Sequence, residues 1–149
     1  MPLHPIVLDP SLAPCHSLGM LGRRAQGTSP YEATIGFSRA VRVGSMTAVS
    51  GTAPVGLDGE TVPGDVTVQA RRCFEIIREA LLAVGVPMRD VIRTRMYIID
   101  PRDAAAVGAV HAEVFGEIRP AATMVVVAGL LRPEWAVEIE ADAYSPDLS

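Results

Sequence analysis

The chain is poor in the residues and motifs that most often betray a chemistry. It has two cysteines, Cys15 and Cys73, far apart in 149 residues. They form no CxxC pair and no disulfide framework, which excludes a thiol-built metal site and a stapled scaffold. Two isolated thiols fit a reduced, cytoplasmic setting. The histidines His4, His16 and His111 are scattered, with no HExxH and no Cys/His cluster at zinc spacing, so no metal is expected. There is no GxSxG elbow. The glycines of "GLDGETVPGD" match neither GxGxxG nor a P-loop, so no nucleotide phosphate and no cofactor is expected. No apolar run approaches the roughly 18 residues that span a bilayer. The opening "MPLHPIVLDPSLAP" lacks the basic start and apolar core of a signal peptide. No membrane partner is therefore expected. Positive charge is scarce too: 13 basic residues face 17 acidic ones, a net charge of −4. A nucleic-acid binder usually carries a basic excess or patch, so that class is set aside.

What is present is apolar. Hydrophobic residues make up 49% of the chain and charged residues 20%. That is enough for a core without metal or disulfides, and it suggests buried surface beyond the needs of a monomer. The length fits one domain. Residues 1–30 are rich in Pro, Gly and Ser and read as an extended arm. Residues 31–149 read as the domain.

Within the domain, "FSRAVRV" and "MTAVSG" are strand-like runs separated by Gly44-Ser45, a pair suited to a two-residue hairpin turn. A turn-rich loop follows. Over residues 66–85, Cys73, Ile77, Ala80, Leu81 and Val84 recur at three- and four-residue steps, which predicts a helix. Asp65 is its expected N-cap, and Gly85 with Pro87 its stop. Cys73 sits on the apolar face and is expected to pack there. "DVIRTRMYIID" reads as a strand. Asp100-Pro101-Arg102-Asp103 is a helix start. The helix it opens carries Val107, Val110, His111 and Val114 and ends near Gly116. "ATMVVVAGL" is apolar on both faces, as in a central or otherwise covered strand. "AVEIEADAY" alternates: Val137, Ile139, Ala141 and Ala143 on one side, Glu138, Glu140 and Asp142 on the other. The expected order is β-β-α-β-α-β-β.

This pattern is a sheet with two helices packed on one face. Ile92, Met96 and Ile98 should meet the helices. Arg93, Arg95 and Tyr97 should lie on the helix-free face beside the carboxylates of the last strand. An apolar strand on that face would be left in water, so an oligomer is expected to cover it. Glu138 is the candidate proton carrier, because a partly buried carboxyl titrates nearer neutrality. The other reading is a structural ion pair with an arginine.

"GFSRAVRVGSMTAVSGTAP", "AVGVPMRDVIRTRMYIID", "VFGEIRPAATMVVV" and "VEIEADA", in this order, resemble the Rid family, also called YjgF or the reactive intermediate deaminases. The match covers residues 31–144. The resemblance implies a chorismate-mutase-like α+β fold and a homotrimer whose sheets line a central barrel. It also implies small-molecule clefts between subunits and hydrolysis of enamines and imines. Ser50 and Gly51 match the family's Ser-Gly at the cleft. Phe37 falls where the deaminases commonly have a tyrosine, and Glu138 matches the cleft glutamate. Tyr97 is a candidate for the cleft wall. One departure stands out. Where deaminases read Pro-Ala-Arg-Ser, this chain reads "RPAATM", so Ala122 replaces the carboxylate-binding arginine and Met124 stands where a small residue is common. A lost charge-assisted bond costs about 1.5–3 kcal/mol, more than tenfold in carboxylate binding. Arg95 or Arg39 could replace that charge. Alternatively, Arg95 pairs with Glu138 or Glu140. The expected function is a small-metabolite site that hydrolyses or tautomerises an imine other than 2-aminoacrylate, or a non-catalytic binding trimer.

Overall fold

A computed structural model of the chain describes residues 22–146. Residues 1–21, most of the expected arm, lie outside the described residues. Six strands form one sheet: β1 (Arg23–Ala25), β2 (Ala40–Val43), β3 (Met46–Thr52), β4 (Val91–Ile98), β5 (Ala121–Val126) and β6 (Val137–Tyr144). Two helices, α1 (Val66–Ala83) and α2 (Ala104–Phe115), are the other main elements. The fold is α+β, as expected. The spatial order is β1-β2-β3-β6-β4-β5. All neighbours are antiparallel except β4 and β5, which run parallel.

The local signals act as their chemistry requires. Val43 pairs with Met46 across Gly44-Ser45, and Gly44 takes a positive φ of 58°, the backbone region a primed hairpin turn demands. The Asp65 side chain accepts from Val68 N at 3.1 Å and caps α1. At the other end, Arg42 reaches from β2 and donates to Val84 O and Gly85 O, at 3.2 and 3.1 Å. It satisfies carbonyls that the last helical turn leaves open. Cys73, Ile77 and Leu81 are fully buried. An Ile or Leu side chain so buried contributes about 1.5–3 kcal/mol. Cys73 behaves as the packed hydrophobe its position suggested, its thiol pushed far up by burial.

Four expectations are corrected. Residues 23–25, assigned to the arm, form edge strand β1 on β2; three residues are too short for a period-2 signal to register. Residues 37–39 precede β2 rather than belonging to it, because a π-helical turn, Glu32–Gly36, delivers the chain there. Ile92 does not face the helices: it is 47% exposed, and Val91 is buried instead. The reason is a β-bulge between Val91 and Arg93 opposite β6, which shifts the side-chain alternation by one. Lastly, of the two readings of β5, central or otherwise covered, the central one does not hold. The strand lies at the sheet's edge with Val125 and Val126 exposed. Its apolar character is therefore covered only in part within a single chain, at Met124.

The alternation in β6 holds: Val137, Ile139, Ala141 and Ala143 are buried against the helices, and the three carboxylates face the other way.

Candidate functional site

A second bulge builds the site. The β3–β6 register shifts between Val49 and Thr52, which lifts Ser50 and Gly51 out of the regular ladder. Ser50 turns instead to the incoming chain. Its N–H donates to Arg39 O at 2.9 Å and its hydroxyl to Ser38 O at 2.6 Å. Gly51 lies directly against the Glu138 carboxylate, and a methyl group there would strike Glu138 Oε1. Only glycine permits this approach. Gly51→Ala should therefore displace Glu138 and depress any activity that depends on it. Thermal unfolding of the variant should shift little, and near-native turnover would count against the arrangement.

Glu138, Gly51, Phe37 and Arg39 border a cavity of about 100 Å³, mostly apolar in its walls. Tyr31 and Ile35 close it from the π-helical turn, and Leu131, Arg132 and Trp135 close it from the loop before β6. Glu138 is half-buried there. Burial pushes its carboxyl above the usual range, Arg39 pulls it back, and Glu140 adds a further upward push.

Arg39 is 8% exposed and Glu32 6%. Arg39 Nε and Glu32 Oε1 face each other at 3.4 Å, too poorly aligned for a hydrogen bond, so their attraction is Coulombic. Arg39 also donates to Gly51 O at 2.8 Å and Thr52 Oγ1 at 3.2 Å. Its guanidinium carbon lies 5.4 Å from the Phe37 ring centre. Arg39 therefore fixes the bulged strand through Gly51 O and Thr52 Oγ1 and biases Glu138.

The last wall is a rigid turn. Trp135 N donates to Arg132 O at 3.2 Å, and Trp135 Nε1 to Thr61 Oγ1 at 3.0 Å. Gln69 of α1 binds both Glu134 O and Ala136 N, at 2.9 and 2.8 Å. A half-buried carboxylate with a raised pKa, in an apolar pocket beside a guanidinium, is a constellation suited to proton transfer.

Residues 27–145 match the sequence profile of the family described as Endoribonuclease L-PSP. The chain belongs to this family, the YjgF or Rid family. A curated relative, the 2-iminobutanoate/2-iminopropanoate deaminase of Escherichia coli, is 34% identical over 120 residues, which span 78% of this chain and 93% of that protein. Among solved structures, a YjgF-family member from Mycobacterium tuberculosis is 41% identical with a TM-score of 0.76, covering 83% of this chain and 98% of the other. The Escherichia coli protein TdcF, with bound serine, is 31% identical with a TM-score of 0.71, covering 82% and 94%.

Within this Rid-family chain, Phe37, Arg39, Gly51 and Glu138 come together, with Ser50 anchoring the bulge behind them. The other named residues do not line this cavity. Arg95 donates to Asp142 Oδ2 at 3.0 Å and lies 3.6 Å from Glu140 Oε1; two carboxylates of the neighbouring strand hold it. It is therefore not aimed at the cavity. Tyr97 pairs with Glu138 in register, but its hydroxyl donates to Glu140 Oε1 at 2.7 Å. Ala122 and Met124 sit beside Thr94 and Met96 in the β4–β5 register. Thr94 and Met96 are buried, so Ala122 and Met124 stand on the helix side of the edge strand, and Met124 packs against the core.

Sequence reasoning missed Tyr31, Ile35, Leu131, Arg132 and Trp135. The one available signal was the chain's single tryptophan, in the turn "LRPEW" beside an arginine; a lone amphipathic ring in a turn often marks a wall. His111 is structural: its Nε2 lies 2.8 Å from Thr94 Oγ1, it packs against Phe74 and Phe115, and burial lowers its pKa. Among the described residues no group of three or more His, Cys, Asp or Glu is arranged to hold a metal, and no helix is long and apolar enough to cross a membrane.

Proposed function

We propose that this chain is a cytoplasmic, small-molecule-binding homotrimer. Its pockets hydrolyse or tautomerise an imine or enamine with an apolar body. The observation that carries the reading is Glu138: a carboxyl held above its usual range in an apolar cavity, against the Gly51 backbone. In hydrolysis, water adds to the carbon of C=N. The Glu138 carboxylate takes a proton from that water and returns it to nitrogen. Glu138 next takes the hydroxyl proton of the resulting carbinolamine and passes it to the amino nitrogen as the C–N bond breaks, giving a carbonyl compound and ammonia. The likeness to an Escherichia coli imine deaminase supports this chemistry. The apolar walls at Phe37, Ile35, Leu131 and Trp135 favour a larger side chain than that of 2-aminoacrylate.

The trimer rests on the helix-free face. Val125 at 41%, Val43 at 45%, Met46 at 49% and Tyr144 at 52% exposure leave an apolar surface beside the charged strands. Val125→Glu should convert a trimer to monomers, read as a change in mass by light scattering. A wild-type monomer would remove the seam clefts from the account.

The activity test generates imines in situ from a panel of amino acids with an amino-acid oxidase and follows semicarbazone formation. The protein should suppress the signal most for leucine, methionine and phenylalanine. A second reading, a binding trimer without catalysis, is favoured by Ala122 in place of the family arginine. Unchanged semicarbazone across the whole panel would select it.

A further inference from the structure

Two guanidiniums line the cavity, those of Arg39 and Arg132, while Arg95 and Arg93 of β4 do not. Arg39 is 8% exposed and holds Glu32, Gly51 O and Thr52. Arg95 is held by Asp142 and Glu140. Arg93 donates to Thr123 Oγ1 at 3.0 Å and is not part of the cavity wall. Arg132 differs. It lines the cavity with Glu138, yet it takes part in none of the ion pairs among the described residues. Among the described residues its side chain makes one hydrogen bond, to Gly59 O at 3.2 Å. Its guanidinium carbon lies 5.5 Å from the Trp135 ring centre, a cation–π geometry that orients the group without consuming its donors. A guanidinium carries five N–H donors in a fixed fork, so a pair remains for a planar anion. The turn that carries Arg132 is tied to α1 through Gln69 and to the preceding loop through Thr61, which preorganises it.

We propose that Arg132 is the anion anchor of this pocket, selecting ligands that join one carboxylate to a branched or aromatic apolar body. This deepens the imine-hydrolase reading and rests on it for the identity of the pocket. The carboxylate would take the fork of Arg132. The apolar body would lie against Trp135, Leu131 and Phe37, and the reacting carbon would face Glu138. The charge missing at Ala122 is then supplied from within the same chain, by the loop before β6 rather than by β5.

The test compares 4-methyl-2-oxopentanoate with its uncharged counterpart, 4-methyl-2-pentanone, by titration calorimetry on the wild type, Arg132→Gln and Arg132→Lys. The wild type should bind the acid at least about tenfold more tightly than the ketone, the usual weight of a charge-assisted bond. Arg132→Gln should erase that preference by weakening the acid at least about tenfold and the ketone much less, with an unshifted melting temperature showing that the fold is intact. Arg132→Lys should keep part of it. Equal losses for both ligands, an unaltered preference in Arg132→Gln, or a wild type that binds neither would overturn the anchor. The imine panel reads separately. Hydrolysis by the wild type alongside a silent Arg132→Gln exchange sinks the anchor and leaves the hydrolase standing. A confirmed anchor without hydrolysis does the reverse.

Discussion

Glu138→Gln should lower imine hydrolysis by about 10²–10⁴-fold, the usual contribution of a positioned general base, and at the same time make the protein more heat-stable at neutral pH. The two effects share one cause. Burial in the cavity disfavours the charged form of Glu138 and raises its pKa in the folded chain. A folded-state pKa above the unfolded one means that stability is fully present below the unfolded pKa and is lost as pH rises through the folded value. At pH 7 the ionised carboxylate therefore costs stability, and the amide removes that cost. The gain in melting temperature should shrink as pH falls into the carboxylate range, where wild-type Glu138 is protonated too. The wild-type rate should fall on acidification at a pH above that of an ordinary exposed glutamate, because the base must be ionised to accept a proton. Calorimetric scans at pH 7 and pH 4 and a kcat/KM profile check all three. A Gln variant that is less stable at pH 7, with wild-type turnover, would show that Glu138 is a structural ion-pair member instead.

Arg39→Met should be the most damaging single change to the fold, at about 3–5 kcal/mol, the range for breaking a buried pair by removing one partner. Glu32 would be left 6% exposed, its carboxylate holding, among the described residues, one hydrogen bond, from Gly27 N at 2.8 Å. There is no room to relax: a side chain on Gly27 would press on both Arg39 and Glu32. The bulge at Ser50-Gly51 would also lose the guanidinium that bonds Gly51 O. The double variant Glu32→Gln with Arg39→Met should recover a large part of the loss, since it removes the stranded charge. Denaturant midpoints at one fixed protein concentration measure this. A single-variant loss under about 1 kcal/mol would place the pair with solvent-screened surface bridges.

Particular residues show how far the sequence could be read. In α1, apolar residues at helical spacing, an Asp65 cap and a Gly85 stop are local features, and each is realised where it was expected. Ile92 was misplaced for the opposite reason. Its face depends on a bulge between two strands some fifty residues apart in sequence, and period 2 within one strand carries no record of it. The site divides the same way. Phe37, Gly51 and Glu138, matched to the family's cleft, and Arg39, named for its place beside Phe37, border one cavity. Arg95 and Tyr97, also named, spend their polar groups on Glu140 and Asp142.

From the sequence alone came an α+β domain with two helices on one sheet face, a strand with three carboxylates pointing away from them, and the absence of the family arginine at Ala122. The first two follow from side-chain periodicity and capping chemistry, which are local; the third is what the family resemblance implies for position 122. Only the tertiary structure decided which cation meets which carboxylate. Arg39 goes to Glu32, Arg95 to Asp142 and Glu140, and Arg132 is left facing the pocket with donors to spare. Such pairing depends on strand register, two bulges and a turn pinned by Gln69, which bring together residues that sequence spacing keeps far apart.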